Sequence, residues 1–205
     1  MPEPGRFIVF EGGEASGKST QAGRLASRLS ALLTREPGGT PLGEAIRPLA
    51  LERTQGEIDS RTELLLMVAA RSEHVAALIR PTLEVGRHVV CDRFNGSTIA
   101  YQGYGRGLPI EDVLVACELA TNGCEPDLNI LLDIDAATAR ARRPTPDDAI
   151  ESAGELFHLR VRAGFLAVAA ADPDTWAVID AHGDIDAVEE AVVRTVFERL
   201  GIAVD

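Results

Sequence analysis

The chain has 205 residues, 45% of them hydrophobic but only 4% aromatic, which suits a single domain whose core is built from Ala, Val, Leu and Ile. With 32 acidic against 20 basic residues, the net charge of −12 argues against nucleic-acid and anionic-membrane partners, which need extended basic surface. A small phosphate ligand stays compatible, because a few arginines can form a local positive pocket.

The apolar run RFIVFEG (6–12) predicts a buried strand. It leads into EGGEASGKST (11–20), where Gly12 is followed after four residues by Gly17-Lys18-Ser19, the spacing of a phosphate-cradling loop. KSTQAGRLASRLS (18–30), with Leu25 and Leu29 four apart, predicts a helix that starts at that loop. ALLT (31–34) reads as a second strand and REPGGTPLG (35–43) as a turn. RTELLLMVAARSEHVAALIRPTLEVG (61–86) is a long helical stretch, bent or ended near Pro81. HVVCDRF (88–94) is a third strand with a polar end, and PIEDVLVACELATNG (109–123) a helix with a proline start and a glycine stop. LNILLDID (128–135) and WAVIDA (176–181) supply the fourth and fifth strands. Between them lie the Arg-rich ARARRPTPDDAIESAG (139–154) and the helix ELFHLRVRAGFLAVAA (155–170), and a helix over 185–201 closes the chain.

Buried strands alternating with helices imply a three-layer α/β fold, a five-stranded parallel sheet flanked by helices on both faces. Ligands bind such sheets at the carboxyl ends of the strands. Those ends carry Glu11 to Glu14, Arg35-Glu36, Asp92-Arg93 and Asp133.

The glycines of the loop let backbone N–H groups curl around phosphates, so Gly12, Gly13, Glu14, Ala15, Ser16, Gly17, Lys18, Ser19 and Thr20 form the candidate ATP-binding segment. Lys18 adds a point charge at the transferring phosphate, the Ser19 hydroxyl a contact to Mg2+, and the helix N-terminus its partial positive charge. The alternative is a Gly-rich turn without function. Asp92, at a strand tip, suits an outer contact to Mg2+. Arg93 beside it can hold a phosphate bidentately, the alternative being a strand-end ion pair. Arg140, Arg142 and Arg143 form either a lid segment, about 141–155, that brings arginines over the phosphates, or a solvated basic helix end. The three cysteines, Cys91, Cys117 and Cys124, show no CxxC pairing and read as the reduced thiols of a cytoplasmic protein. No secretory signal and no membrane span is expected. The four histidines show no ligand spacing and read as structural or surface residues.

REPGGTPLGE, AARSEH, DRFNGSTIAYQGYGRG and PDLNILLD, in order behind the phosphate loop, resemble thymidylate kinase. The resemblance implies phosphoryl transfer from ATP to dTMP with Mg2+, a step of dTTP biosynthesis, in a cytoplasmic homodimer whose interface is the helix over 61–85, the alternative being that the apolar residues of that helix are all core. It implies that Glu14 reads the sugar of the acceptor, and that Arg35, Glu36 and Pro37 form one wall of the acceptor site. Arg71 would meet the thymine edge and Arg93 the acceptor phosphate. Ser97, Thr98, Tyr101 and Gln102 would read base and sugar, with Tyr101 crowding the 2′ position. Ala15 stands where some members carry a catalytic arginine, which shifts that role to the lid, to Arg142 or Arg143. Met67 departs from the pattern, since the family usually has an aromatic ring there. A thioether can pack on a base, or Met67 can be core. Two other readings stay open: a P-loop kinase for a different small acceptor, and an ATP-binding switch.

Overall fold

The computed structural model describes residues 4–52, 58–142 and 154–204. Five strands, β1 (Phe7–Glu11), β2 (Leu32–Arg35), β3 (Val89–Asp92), β4 (Leu128–Asp133) and β5 (Trp176–Asp180), form one sheet in the order β2-β3-β1-β4-β5. All neighbours are parallel, with Ile8 opposite Val90 on one side and Leu128 on the other. β1 is central and apolar up to its last residue, Glu11, because helices cover both faces. Ile8 and Phe10 point to one core with Leu128, Ile130 and Leu132, while Phe7 and Val9 point to the opposite one. That alternation is the two-residue period of a strand.

The first face is covered by α1 (Lys18–Arg28), through Ala22 and Leu25, and by α9 (Ile185–Leu200), through Val188, Val192 and Val196. On the second, Val75 and Ile79 cover β1 and β3, and α8 (Glu155–Ala171) covers β4 and β5, while α3 (Ser60–His74) and α6 (Ile110–Thr121) pack on each other. The chain runs from β1 outward to β2 and β3, then crosses to β4 and β5. The carboxyl end of β1 is therefore the point where the strand order reverses, and the phosphate loop sits there.

Three elements differ from the sequence expectation. The segment read only as a turn continues into a helix, α2 (Pro41–Leu51), whose N-cap Thr40 accepts from Gly43 N at 3.0 Å, with Pro41 at the first helical position. The stretch over 61–86 is not one α-helix, and it does not end at Pro81. α3 passes through a π-helical turn, Val75–Ile79, into α4 (Arg80–Glu84). A wider turn immediately upstream of the proline accommodates its ring and its missing N–H, so the helix carries on. After β3, α5 (Asn95–Thr98) runs into a second π-helical stretch, Ile99–Gly105, where the sequence predicts no element. A short helix, α7 (Ala136–Arg142), follows β4. Arg143 and the lid stretch 143–153 lie outside the described residues.

Candidate active site

The phosphate loop joins β1 to α1. Gly12 has φ 142°, and a Cβ there would stand 2.5 Å from Leu132 O, so only glycine fits between the loop and β4. Gly17, φ 92°, forms the N-cap of α1. Lys18 is buried and donates to Gly13 O at 2.6 Å and to Ser16 Oγ at 3.3 Å. Burial, followed by the nearby Arg93 charge, lowers its ammonium from 10.5 to about 8. Ser19 Oγ donates to Asp92 Oδ2 at 2.5 Å, while Asp92 Oδ1 is buried and has no hydrogen-bond partner among the described residues.

Across from the loop, Arg93 has φ 75°, a left-handed conformation that a non-glycine residue adopts only under restraint from its surroundings. Part of the restraint is visible. Arg93 N donates to Phe10 O at 2.9 Å, and Nη1 to Gly12 O and Ser97 Oγ, both at 3.2 Å. Nη2 donates to Glu14 Oε1 at 2.5 Å, the guanidinium lies 5.1 Å from the Tyr101 ring centre, and Tyr101 Oη donates to the same Glu14 oxygen at 2.7 Å. Burial pushes the Glu14 carboxyl up, but Arg93 and then Lys18 outweigh it and bring it down to about 2. An anion thus already occupies the guanidinium, carried on the loop itself.

The far end of the cleft is a buried chain of polar groups. Arg71 donates through Nε to Glu36 Oε2 at 2.7 Å and through Nη2 to Thr98 Oγ1 at 2.9 Å, with its guanidinium 5.0 Å from the Phe94 ring centre. Glu36 Oε1 lies 3.0 Å from His74 Nδ1, and His74 Nε2 lies 2.7 Å from Thr34 Oγ1. His74 is thus structural, as expected. Met67, one turn before Arg71, is 9% exposed and packs in the cluster of Ala50, Tyr101, Phe157 and Phe165.

One cavity of about 610 Å3 connects these groups. It is lined by Glu14, Ala15, Gly17, Lys18, Ser19, Thr20 and Asp92 on the loop side. On the other side stand Arg35, Glu36, Pro37, Met67, Arg71, Arg93, Ser97, Thr98, Tyr101 and Gln102. Gly12, Gly13 and Ser16 shape the loop without lining this cavity. Arg35 pairs with Glu44 of α2 at 3.0 Å, and Gln102 Nε2 donates to the buried Glu63 at 2.9 Å. Asp133 is not brought to the cavity. Its two oxygens take Arg162 Nε and Nη2 of α8 at 2.7 and 2.8 Å.

Arg142 does reach the cavity. From the end of α7 its Nη2 donates to Ala181 O at 2.8 Å, His182 O at 3.3 Å and Gly183 O at 3.2 Å, and its Nη1 to Ala15 O at 3.4 Å. It ties the phosphate loop to the loop after β5. Arg140, by contrast, pairs with Glu155 at 3.4 Å on the surface, the behaviour of a solvated helix end. Sequence reasoning missed Arg47 and Leu51, both lining the cavity from α2, with Arg47 Nη1 donating to Pro37 O at 2.8 Å. The Thr40-Pro41 cap signature would have revealed their helix.

The thymidylate kinase family model matches residues 10–192. The chain is 47% identical over 206 residues to a thymidylate kinase of Chromohalobacter salexigens, covering 96% of this chain and 97% of that protein. It is 45% identical over 205 residues to one of Caulobacter vibrioides, covering 97% and 99%. The crystal structure of thymidylate kinase from Ehrlichia chaffeensis matches with a TM-score of 0.77 at 36% identity, over 94% of this chain and 99% of that one.

Proposed function

The chain belongs to the thymidylate kinase family and phosphorylates dTMP to dTDP with ATP as donor, and we propose that it does so by positioning and charge neutralisation in the single cleft between the phosphate loop and Arg71. The residues at the two ends are chemically different, and that difference supports a direction for the substrates. The loop end, Gly12 to Thr20, offers backbone N–H groups, Lys18 and the N-terminus of α1 to the triphosphate. The other end offers Arg93 to the acceptor phosphate, Met67 and Arg71 to the base, and Tyr101 and Glu14 to the sugar.

No nucleophile needs to be made, because the acceptor phosphate oxygen is already ionised at neutral pH. The protein's share is then to hold the two phosphates in line and offset the charge that develops between them. Lys18 and Arg142 act from the donor side and Arg93 from the acceptor side. Glu14 holds Arg93 in place until the acceptor phosphate takes over as its counter-anion. The unpartnered Oδ1 of Asp92 and the Ser19 hydroxyl form an oxygen donor set that fits Mg2+. When bound, the ion would neutralise charge on the donor phosphates.

The protein works as a cytoplasmic homodimer. Three buried free thiols support the compartment. The packed pair α3 and α6, which presents Leu65, Leu114, Val115 and Leu119 between 47% and 82% exposed, supports the interface. The observation that carries the site assignment is Arg93, held with its guanidinium in the cavity, 2.5 Å from a carboxylate that a phosphate can replace. The test is a coupled assay of ADP formation with dTMP, dUMP, dGMP, dCMP, AMP and thymidine offered in turn, repeated on Arg93→Lys. A strong preference for dTMP is expected, with the KM for dTMP raised at least tenfold in the variant and that for ATP little changed. An unaltered KM for dTMP would remove the phosphate from Arg93.

A further inference from the structure

Glu11 ends β1 but does not line the substrate cavity, and nothing in phosphoryl transfer calls for it. It is nevertheless a fully buried carboxylate, and a buried charged group is kept only where specific partners hold it. Its partners all belong to the turn after β3. Oε1 accepts from the backbone N–H groups of Phe94 and Ser97, each at 3.0 Å, and Oε2 accepts from Ser97 Oγ at 2.5 Å. α5 begins in this turn, and its N-cap Phe94 has no side-chain cap hydrogen bond. Glu11 therefore supplies, from a neighbouring strand, the acceptor that an N-cap side chain would supply locally.

The same turn carries Arg93 and Ser97. Ser97 Oγ stands between Glu11 and Arg93 and receives Arg93 Nη1 at 3.2 Å. Space around the clamp is tight, since a Cβ on Gly96 would stand 2.9 Å from Glu11 Oε1 and 2.4 Å from the Trp176 ring. The carboxylate thus presses the start of the turn onto β1, while Arg93 N, bonded to Phe10 O, anchors it one residue earlier. Between those two anchors the backbone takes the left-handed conformation at Arg93 that turns its side chain toward Glu14 and the cavity.

We propose that Glu11 is a positioning residue for the acceptor phosphate: it clamps residues 94–97 onto β1 and so fixes Arg93 and Ser97 in the geometry that receives the phosphate. The proposal rests on Arg93 being the phosphate-holding residue. The clamp works in either protonation state, because Oε1 keeps both N–H groups and the Ser97 hydroxyl can reverse its bond to Oε2. That tolerance is needed, since burial pushes the Glu11 carboxyl up to about 7 against the opposing effect of Ser97 and Arg93.

The experiment compares Glu11→Ala, Glu11→Asp and Glu11→Gln by steady-state kinetics in both substrates, with Arg93→Lys alongside and thermal melts of each variant. Glutamine keeps one oxygen for the two N–H groups and turns its amide to the Ser97 hydroxyl. Alanine removes the clamp, and aspartate retracts it by one methylene. The expected result is a KM for dTMP raised tenfold or more in Glu11→Ala and severalfold in Glu11→Asp, restored to within threefold of wild type in Glu11→Gln. The KM for ATP should stay within twofold throughout. A folded Glu11→Ala with a wild-type KM for dTMP overturns the proposal, as does a parallel rise in both KM values, which would mark a general scaffold role. Should Glu11→Ala fail to fold, Glu11→Asp decides on the same criterion. If Arg93→Lys raises the KM for dTMP while the Glu11 variants do not, the positioning role falls and the Arg93 assignment stands. If Arg93→Lys leaves it unchanged, the Arg93 assignment falls, and the role of Glu11 with it.

Discussion

Replacing Lys18 with methionine should make the nucleotide-free protein more stable and the enzyme nearly inactive. The ammonium is buried between Gly13 O and Ser16 Oγ and is brought from 10.5 to about 8 by loss of water and by the Arg93 charge. At 1.36 kcal/mol per pH unit, its charged form is about 3 kcal/mol less favourable in the fold than in the unfolded chain at pH 7. Methionine has similar length and no charge, so that cost disappears. Losing the two hydrogen bonds takes back about 2 kcal/mol, about 1 for each. The net gain of about 1 kcal/mol corresponds to a rise in Tm of roughly 2–4 °C for a chain of this size. The sign can be checked against pH. A lysine whose folded pKa is depressed destabilises the fold fully below pH 8, and the effect fades as pH rises from 8 toward 10.5. The advantage of Lys18→Met should therefore be largest at pH 7 and shrink above pH 8. Turnover should fall by at least 10^2–10^3-fold, the scale for removing one charge aimed at a developing anion. Calorimetry without nucleotide at pH 7, 8, 9 and 10, together with the coupled assay, tests both halves. A variant that melts below wild type at pH 7 would refute the burial argument, and normal kcat would refute the role of the loop.

Arg71→Lys keeps the charge but loses the fork that reaches Glu36 and Thr98 together. It should cost about 2 kcal/mol in urea unfolding and raise the KM for dTMP about tenfold; unchanged stability would show that the buried pair is not structural. Met67→Phe should lower the KM for dTMP severalfold if the side chain lies under the base, and an unchanged KM would return Met67 to the core. Arg142→Ala should lower kcat by about 10^3-fold with the fold intact, the low end of the range for an arginine that supplies charge in phosphoryl transfer. An unaffected kcat would reduce Arg142 to a tie between two loops.

The strands and the phosphate loop were legible because their signals are local. A strand buried on both faces is mostly apolar, so β1, β3 and β4 stand out as runs broken only by Asn129 and by the polar ends Glu11, Asp92 and Asp133. A phosphate cradle needs glycines and a lysine within eight residues, so it too can be read in one window. α2 was lost because its start, Thr40-Pro41, sits in a Gly-Pro stretch that also spells a turn. The π-helical turn ahead of Pro81 was not legible, because its hydrogen bonds leave no composition signal.

By itself, the sequence determined the chemistry of the parts: a parallel sheet, a triphosphate loop at the end of its first strand, and a motif series from 35 to 133 that belongs to one family. Tertiary structure alone decided which of those parts act on each other. Arg93 meets Glu14 across 79 positions, Glu11 meets Ser97 across 86, and Arg71 meets Glu36 across 35. A carboxylate next to a glycine reads the same in a sequence whether it faces water, a guanidinium or a helix N-terminus. The fold chooses among these by removing the water, and once it is gone each buried charge must find its partner from whichever strand the sheet brings alongside.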